Sequence, residues 1–421
     1  MWQSPAQLER DAAGAGPSSA HGHGIAGWIA WIAATIFVFY QLIVQNSYVA
    51  MDATLREALE LDLTTSSLVS AAFLVAYGLM QVPAGLIIDR LGPGRVLAPA
   101  ALVLAGCTWL FASVDGFWSA VAIRAAMGCV AAFAFPGAGL IARRRLPLAV
   151  FPLAIGIIDG VFGLGLWVGD DGVNVMLEHM HWRSIMGALG VAGVVVAVIC
   201  LVCIRPIGPS SRSGSGSVRS DLRLLVGKRQ VVYTAILYAM MSGITFGFAG
   251  LWNIPLQEAW GFSRTESIQF NGWIFIGMAV FAPLAGLLGM RRSLQRPVLV
   301  GGVVLTLIGV LCLLFLPTPM EDWFVTLVHV AVGMGLGTGV LCFAVACRTV
   351  EMGRVATAIG LINAAGLLAA AFFQVLPGIV LDQMDTPQLE TYQIVLSIFA
   401  VGLVVALPLS IVVTRRGQAA C

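Results

Sequence analysis

Charge is what this sequence has least of. Only 10% of its 421 residues are charged, against 59% hydrophobic, and the mean hydropathy is +0.93. A water-soluble domain carries roughly 25% charged residues, so a soluble globular chain is excluded. Also missing is a Gly-rich phosphate loop of the Walker type, which excludes ATP as a direct driver through this chain. A basic leader with a cleavage site is missing too: residues 1–24 are polar and rich in Gly, Ala and Ser, and read as a flexible tail. Cysteine pairs offer little chemistry. Seven of the eight (Cys107, Cys129, Cys200, Cys203, Cys312, Cys342, Cys347) fall in apolar runs, where free Cys packs as a small hydrophobe. Cys200-x-x-Cys203 has redox spacing but sits in an unbroken lipid-like run, and the pairs His21/His23 and His179/His181 are too small for a metal site. No enzyme signature, cofactor site or nucleic-acid surface emerges.

What is present is a succession of apolar stretches, each about 20 residues, enough to cross a hydrocarbon core as a helix. They fall near 27–49, 66–88, 96–114, 117–141, 147–168 and 184–204, then near 231–254, 267–290, 297–316, 323–346, 355–381 and 391–413. The expected organisation is a tail (1–24), a six-helix bundle (25–205), a Ser/Gly-rich linker (206–230), a second six-helix bundle (231–414) and a short tail (415–421). The fold class is therefore all-α, with twelve transmembrane helices in two pseudo-symmetric bundles.

Loop charges give the orientation. With the N-terminus inside, cytoplasmic segments hold 19 of the 23 Lys+Arg, and the opposite loops hold three: Arg56, Arg183 and Arg264. Fifteen of the 21 acids lie outside, Asp170 and Asp171 among them. This bias places both termini in the cytoplasm. One cation and one acid are left inside the membrane, Arg124 (23 − 19 − 3) and Asp159 (21 − 15 − 5). Ionisable residues there are costly and are site candidates by default. Counting seven residues from Phe117 to Arg124 and eight from Asp159 to Trp167 sets them at similar depths, roughly 10 and 12 Å at 1.5 Å per residue, so that they could pair.

Internal repeats extend the set. Ala154-Ile-Gly-Ile-Ile-Asp159 recurs as Ala358-Ile-Gly-Leu-Ile-Asn363, and Arg124-x-x-x-Gly128 as His329-x-x-x-Gly333. Duplicated halves of this kind build many transporters. Arg124, Asp159, His329 and Asn363 are thus expected around a central cavity. Tyr40, Gln41, Gln45, Tyr77, Gln81, Gln269 and Asn271 are weaker cavity candidates, since polar residues also glue helices together.

Gly85-Leu-Ile-Ile-Asp89-Arg90-Leu-Gly92-Pro93-Gly94-Arg95 resembles the loop between helices two and three of the major facilitator superfamily, and Arg124-x-x-x-Gly128 is similar to its helix-four motif. Pro93 and Gly94 depart from the usual basic residues, and span five lacks the Gly-Pro break usual in the antiporters. The resemblance implies a gating latch made of Gly85, Asp89, Arg90, Gly92 and Arg95. It also implies a role for Arg124 in proton or substrate handling. The expected function is secondary transport by alternating access, coupled to protons, of a small anionic organic solute, by a monomer in a bacterial inner membrane. Alternatives are an exporter of neutral or cationic amphiphiles, for which Asp159 is the recognition charge, and a sensor or scaffold with a transporter fold.

Topology is directly testable. Accessibility tags at Ser213 and Gln418 should both report from the cytoplasm and one at Asp385 from outside; a tag at Ser213 found outside would overturn the orientation.

Overall fold

Bilayer-spanning segments must satisfy their backbone polar groups internally, which leaves helices as the solution for this composition. The computed structural model describes residues 24–147, 150–205, 223–315, 321–347, 350, 355–384 and 387–416. Among them, twelve helices are long and apolar enough to cross a membrane. These are α1 (Ile25–Ala58), α2 (Leu63–Ile88), α3 (Pro93–Phe111), α4 (Phe117–Arg145), α5 (Leu153–Leu177) and α6 (Trp182–Cys203). The second half holds α7 (Arg229–Ala259), α8 (Arg264–Gly289), α9 (Arg292–Phe315), α10 (Asp322–Phe343), α11 (Ala358–Leu381) and α12 (Leu389–Thr414). No strand occurs among the described residues. We call the end where α1 begins and α12 finishes the near face, and the opposite end the far face.

Two helices depart from regular α geometry. α5 contains a π-helical turn at Val168–Gly172, and α7 a ten-residue π segment at Gly243–Trp252. The outward surface is apolar, with Trp118, Leu201 and Ile394 at 78, 68 and 75% exposure, as a lipid-facing surface requires. The turn after α2 is made by Gly92, whose φ of 81° lies in the left-handed region open to glycine, and Pro93 opens α3 immediately after it.

The repeat read from sequence has a structural counterpart. A Cβ added at Gly128 of α4 would overlap the Phe73 carbonyl oxygen of α2; one at Gly333 of α10 would overlap the Ile274 carbonyl of α8. The glycine of each motif therefore lets the same pair of helices approach backbone to backbone in each half.

The halves meet along two seams, α2 with α11 and α5 with α8. Polar contacts tie them at the far face in three places. Asp382, just past α11, accepts from the backbone N–H groups of Leu63 and Thr64 at 2.9 and 2.5 Å. Arg264 donates to the Val49 and Ala50 carbonyls at 3.4 and 3.3 Å while pairing with Glu258 at 3.3 Å. Asn271 of α8 donates to Asp170 of α5 at 2.6 Å. Asp62 caps α2 through Thr65, whose hydroxyl and N–H hold its carboxyl below the usual carboxylate range. The far face is closed.

Close approach at Gly128 yields a stability test. Gly128→Ala should cost about 1–3 kcal/mol through overpacking. Gly106→Ala on α3, where a Cβ meets nothing within 4 Å, should be neutral or slightly stabilising. Thermal unfolding of the two purified variants in detergent distinguishes them.

Candidate functional site

A cavity lies where α5 of the first half meets α7, α8 and α10 of the second. Its volume is about 70 Å³, and its mouth is open. Its walls are Phe162, Phe246, Phe343, Met241, Met278 and Leu336, with the hydroxyls of Ser242, Thr245 and Tyr238 and a single carboxylate, Asp159. Phe162 and Phe246 meet edge to face across the halves, ring centroids 5.7 Å apart, and Tyr238 meets Phe343 likewise at 4.8 Å. The half-buried Asp159 makes no ion pair among the described residues.

Arg124 is elsewhere. Only 3% exposed, it donates to the Val44 and Gln45 carbonyls of α1 at 3.4 and 3.3 Å, and its guanidinium lies 5.1 and 4.8 Å from the rings of Tyr48 and Phe73. Its Nε has no partner, and neither does Oε1 of Gln45. The expected pairing of Arg124 with Asp159 is therefore not formed. The reason is helix length. α5 continues through its π turn to Leu177, so Asp159 lies 18 residues from the far end, roughly 27 Å, while Arg124 lies seven residues, roughly 10 Å, from its own.

The acid at Arg124's depth is Asp170. It was expected in an outer loop; instead it is fully buried inside α5. Asn271 donates to its Oδ2, and the second hydrogen of the Asn271 amide goes to the Ala249 carbonyl at 2.8 Å. Asn271 Oδ1 accepts from Asn253 Nδ2 at 2.9 Å, and that nitrogen also lies 3.0 Å from His329 Nε2. His329 Nδ1 lies 2.7 Å from the Val325 carbonyl, which can only accept. The ring is thereby fixed as the neutral Nδ1–H tautomer, its Nε2 accepting from Asn253. Asp170, Asn271, Asn253 and His329 form one buried line across both halves.

Of the other candidates, Tyr40 points to Thr108 of α3 at 3.5 Å, away from the cavity, and Gln269 is exposed. Gln41 is fully buried with both amide atoms unpartnered, Tyr77 hydrogen-bonds Gln81, and Asn363 is half-buried on α11 outside the cavity lining. Gly85 and Arg95 stand at the near face, half-buried and exposed; the side chains of Asp89 and Arg90 lie outside the described residues. Sequence reasoning passed over Asp170, Asn253 and the aromatic walls. Two signals pointed to Asp170: the apolar Val173, Val175, Met176 and Leu177 that follow it, and its offset from Gln374 (374 − 170 = 204), the same that relates Asp159 to Asn363.

Comparison with known proteins gives a consistent picture. A sequence model described as Major Facilitator Superfamily matches residues 32–373. No curated protein matches the sequence. Among solved structures, the fold is similar to a bacterial homolog of the human lysosomal transporter Spinster, in an inward-facing and unoccupied conformation. The TM-score is 0.73 at 14% identity, covering 94% of this chain and 99% of that one. It is also similar to the nucleoside transporter NupG, with TM-score 0.71, 13% identity, and 93% and 99% coverage.

Separate placement of the two charges predicts independence. In a double-mutant cycle, Arg124→Gln and Asp159→Asn should add within about 0.5 kcal/mol of unfolding free energy, as expected of groups that share no contact. A coupling well above that would restore the pair.

Proposed function

The chain belongs to the major facilitator superfamily, and from that premise we propose that it is a secondary transporter that carries an amphiphilic organic solute, neutral or cationic, by alternating access. The observation that carries this reading is the cavity. Its walls are aromatic and Met-rich, and Asp159 is the one carboxylate among them. Aromatic faces attract a cation, and a lone acid in an apolar pocket either pairs with a positive solute or takes up a proton. Asp159 therefore serves as recognition charge and as proton carrier, with Ser242, Thr245 and Tyr238 fixing the solute's polar end.

A second reading, an anionic solute, draws on Arg124. Its guanidinium has no carboxylate partner among the described residues, and its Nε makes no hydrogen bond. Against it, Arg124 does not line the cavity, and His329, the other cation this reading needs, is buried in its neutral form. The loop charges support cytoplasmic termini, which makes the far face the outer one, and a bacterial inner membrane is the proposed location. Asp89, Arg90 and Arg95 remain the proposed near-side latch, and a monomer the working unit.

Proteoliposomes with an imposed pH gradient test the assignment, using ethidium as the cationic probe and succinate as the anionic one. Ethidium accumulation should follow the gradient. Asp159→Asn should reduce it about ten- to a hundredfold, as loss of one charged interaction worth about 1.5–3 kcal/mol implies. Succinate accumulation that depends on Arg124 would favour the second reading. Movement of neither probe would favour a sensor or scaffold.

A further inference from the structure

The line from His329 to Asp170 crosses the α5–α8 seam where the far face is sealed, and its hydrogens are fully allotted. Asn253 gives one to Asn271 and one to His329, and Asn271 gives one to Asp170 and one to Ala249. Asp170 thus receives one hydrogen bond, from a neutral amide, on Oδ2; its Oδ1 is buried with no partner. Beside it, Oδ2 of Asp171 is also buried and unpartnered. That carboxyl is pressed onto α8 at Gly272, where an added Cβ would overlap it.

A buried carboxylate is stable when several N–H groups or a cation satisfy both oxygens. The charges acting on Asp170 are Asp171 and Arg264. Arg264 is already engaged with Glu258 and with two main-chain carbonyls of α1. From α1, which packs on the π turn, the nearest charged groups are Asp52 and Arg56, paired with each other at 3.1 Å. From α8, Glu266 is spent on the Ser263 cap. From α10, His329 enters through Asn253 and is neutral. Among the described residues no cation pairs with Asp170, and its one hydrogen bond comes from Asn271.

We propose that Asp170 is a proton-binding site, separate from the solute cavity, that holds its proton while the far face is closed and opens the α5–α8 seam when it gives that proton up. The O–H bond at Asp170 breaks, the proton leaves to water on the far side, and the resulting carboxylate lies unbalanced against Asp171 and the α8 backbone. Separation of α5 from α8 admits the water it needs. The sign follows from linkage: the closed state binds one more proton, so acid favours closure and alkali favours opening. Asp62, which caps α2 at the other seam, has its carboxyl held below the usual range and stays ionised across the same interval, so it does not produce the transition. The inference rests on alternating access and not on which solute the cavity takes.

The test needs no solute. Spin labels at Glu57→Cys and Gln388→Cys, in the full chain with its native cysteines replaced, report the far-face gap by pulsed electron resonance. The parent should give a short distance at about pH 5 and gain a longer population at about pH 8, in the sense linkage requires. Asp170→Asn should lose the longer population at both. Asn271→Asp, a second variant, sets two carboxyls to share a proton and should move the midpoint to higher pH. A pH-driven change that survives in Asp170→Asn overturns the proposal, as does a parent whose distances ignore pH or an unmoved midpoint in Asn271→Asp.

Discussion

Exclusion of water from the hydrocarbon core governs everything described above. It forbids unpaired backbone, which makes every span a helix, and it makes each polar side chain inside the membrane answer for its hydrogen bonds. The apolar majority then needs no further explanation: it faces lipid or packs on glycine. The few polar residues that remain divide sharply. Asp159 answers to a cavity, Arg124 to two carbonyls and two rings, and Asp170 to a relay of amides.

The two acids of α5 give the helix a division of labour along its length. Asp159 lines the cavity; Asp170, eleven positions on, lies buried in the seam and is hydrogen-bonded by the opposing half. Between them Phe162 meets Phe246 edge to face across the halves. A rigid helix carrying one group in the solute chamber and another in the seam is a direct mechanical way for the two to influence each other.

Much of this was legible in the sequence. Hydropathy gave twelve spans, and the repeated motifs aligned Arg124 with His329 and Gly128 with Gly333, which the backbone contacts at Phe73 and Ile274 reproduce. Depth was not legible in α5. Two adjacent acids after Trp167 read as a loop, because hydropathy averages a charge without asking whether a neighbouring helix supplies an amide for it. Once that end is misplaced, Asp159 moves by about 15 Å, roughly half of the hydrocarbon core, and a pairing with Arg124 that geometry forbids looks natural. The cavity's aromatic walls were hidden for a different reason. Phe162, Phe246 and Phe343 are ordinary span residues until three helices converge on them.

The π segment of α7 has a consequence for how that helix presents its two ends. A regular helix turns about 100° per residue, and each residue taken up by a wider turn sets the remainder back by about that angle. Residues before Gly243 and after Trp252 are therefore out of phase with one another. Tyr238 and Met241 line the solute chamber before the π segment, and Asn253 and Gln257, both fully buried, follow it. One continuous span thus serves two partners on two azimuths: a chamber wall below the dislocation and an amide relay above it.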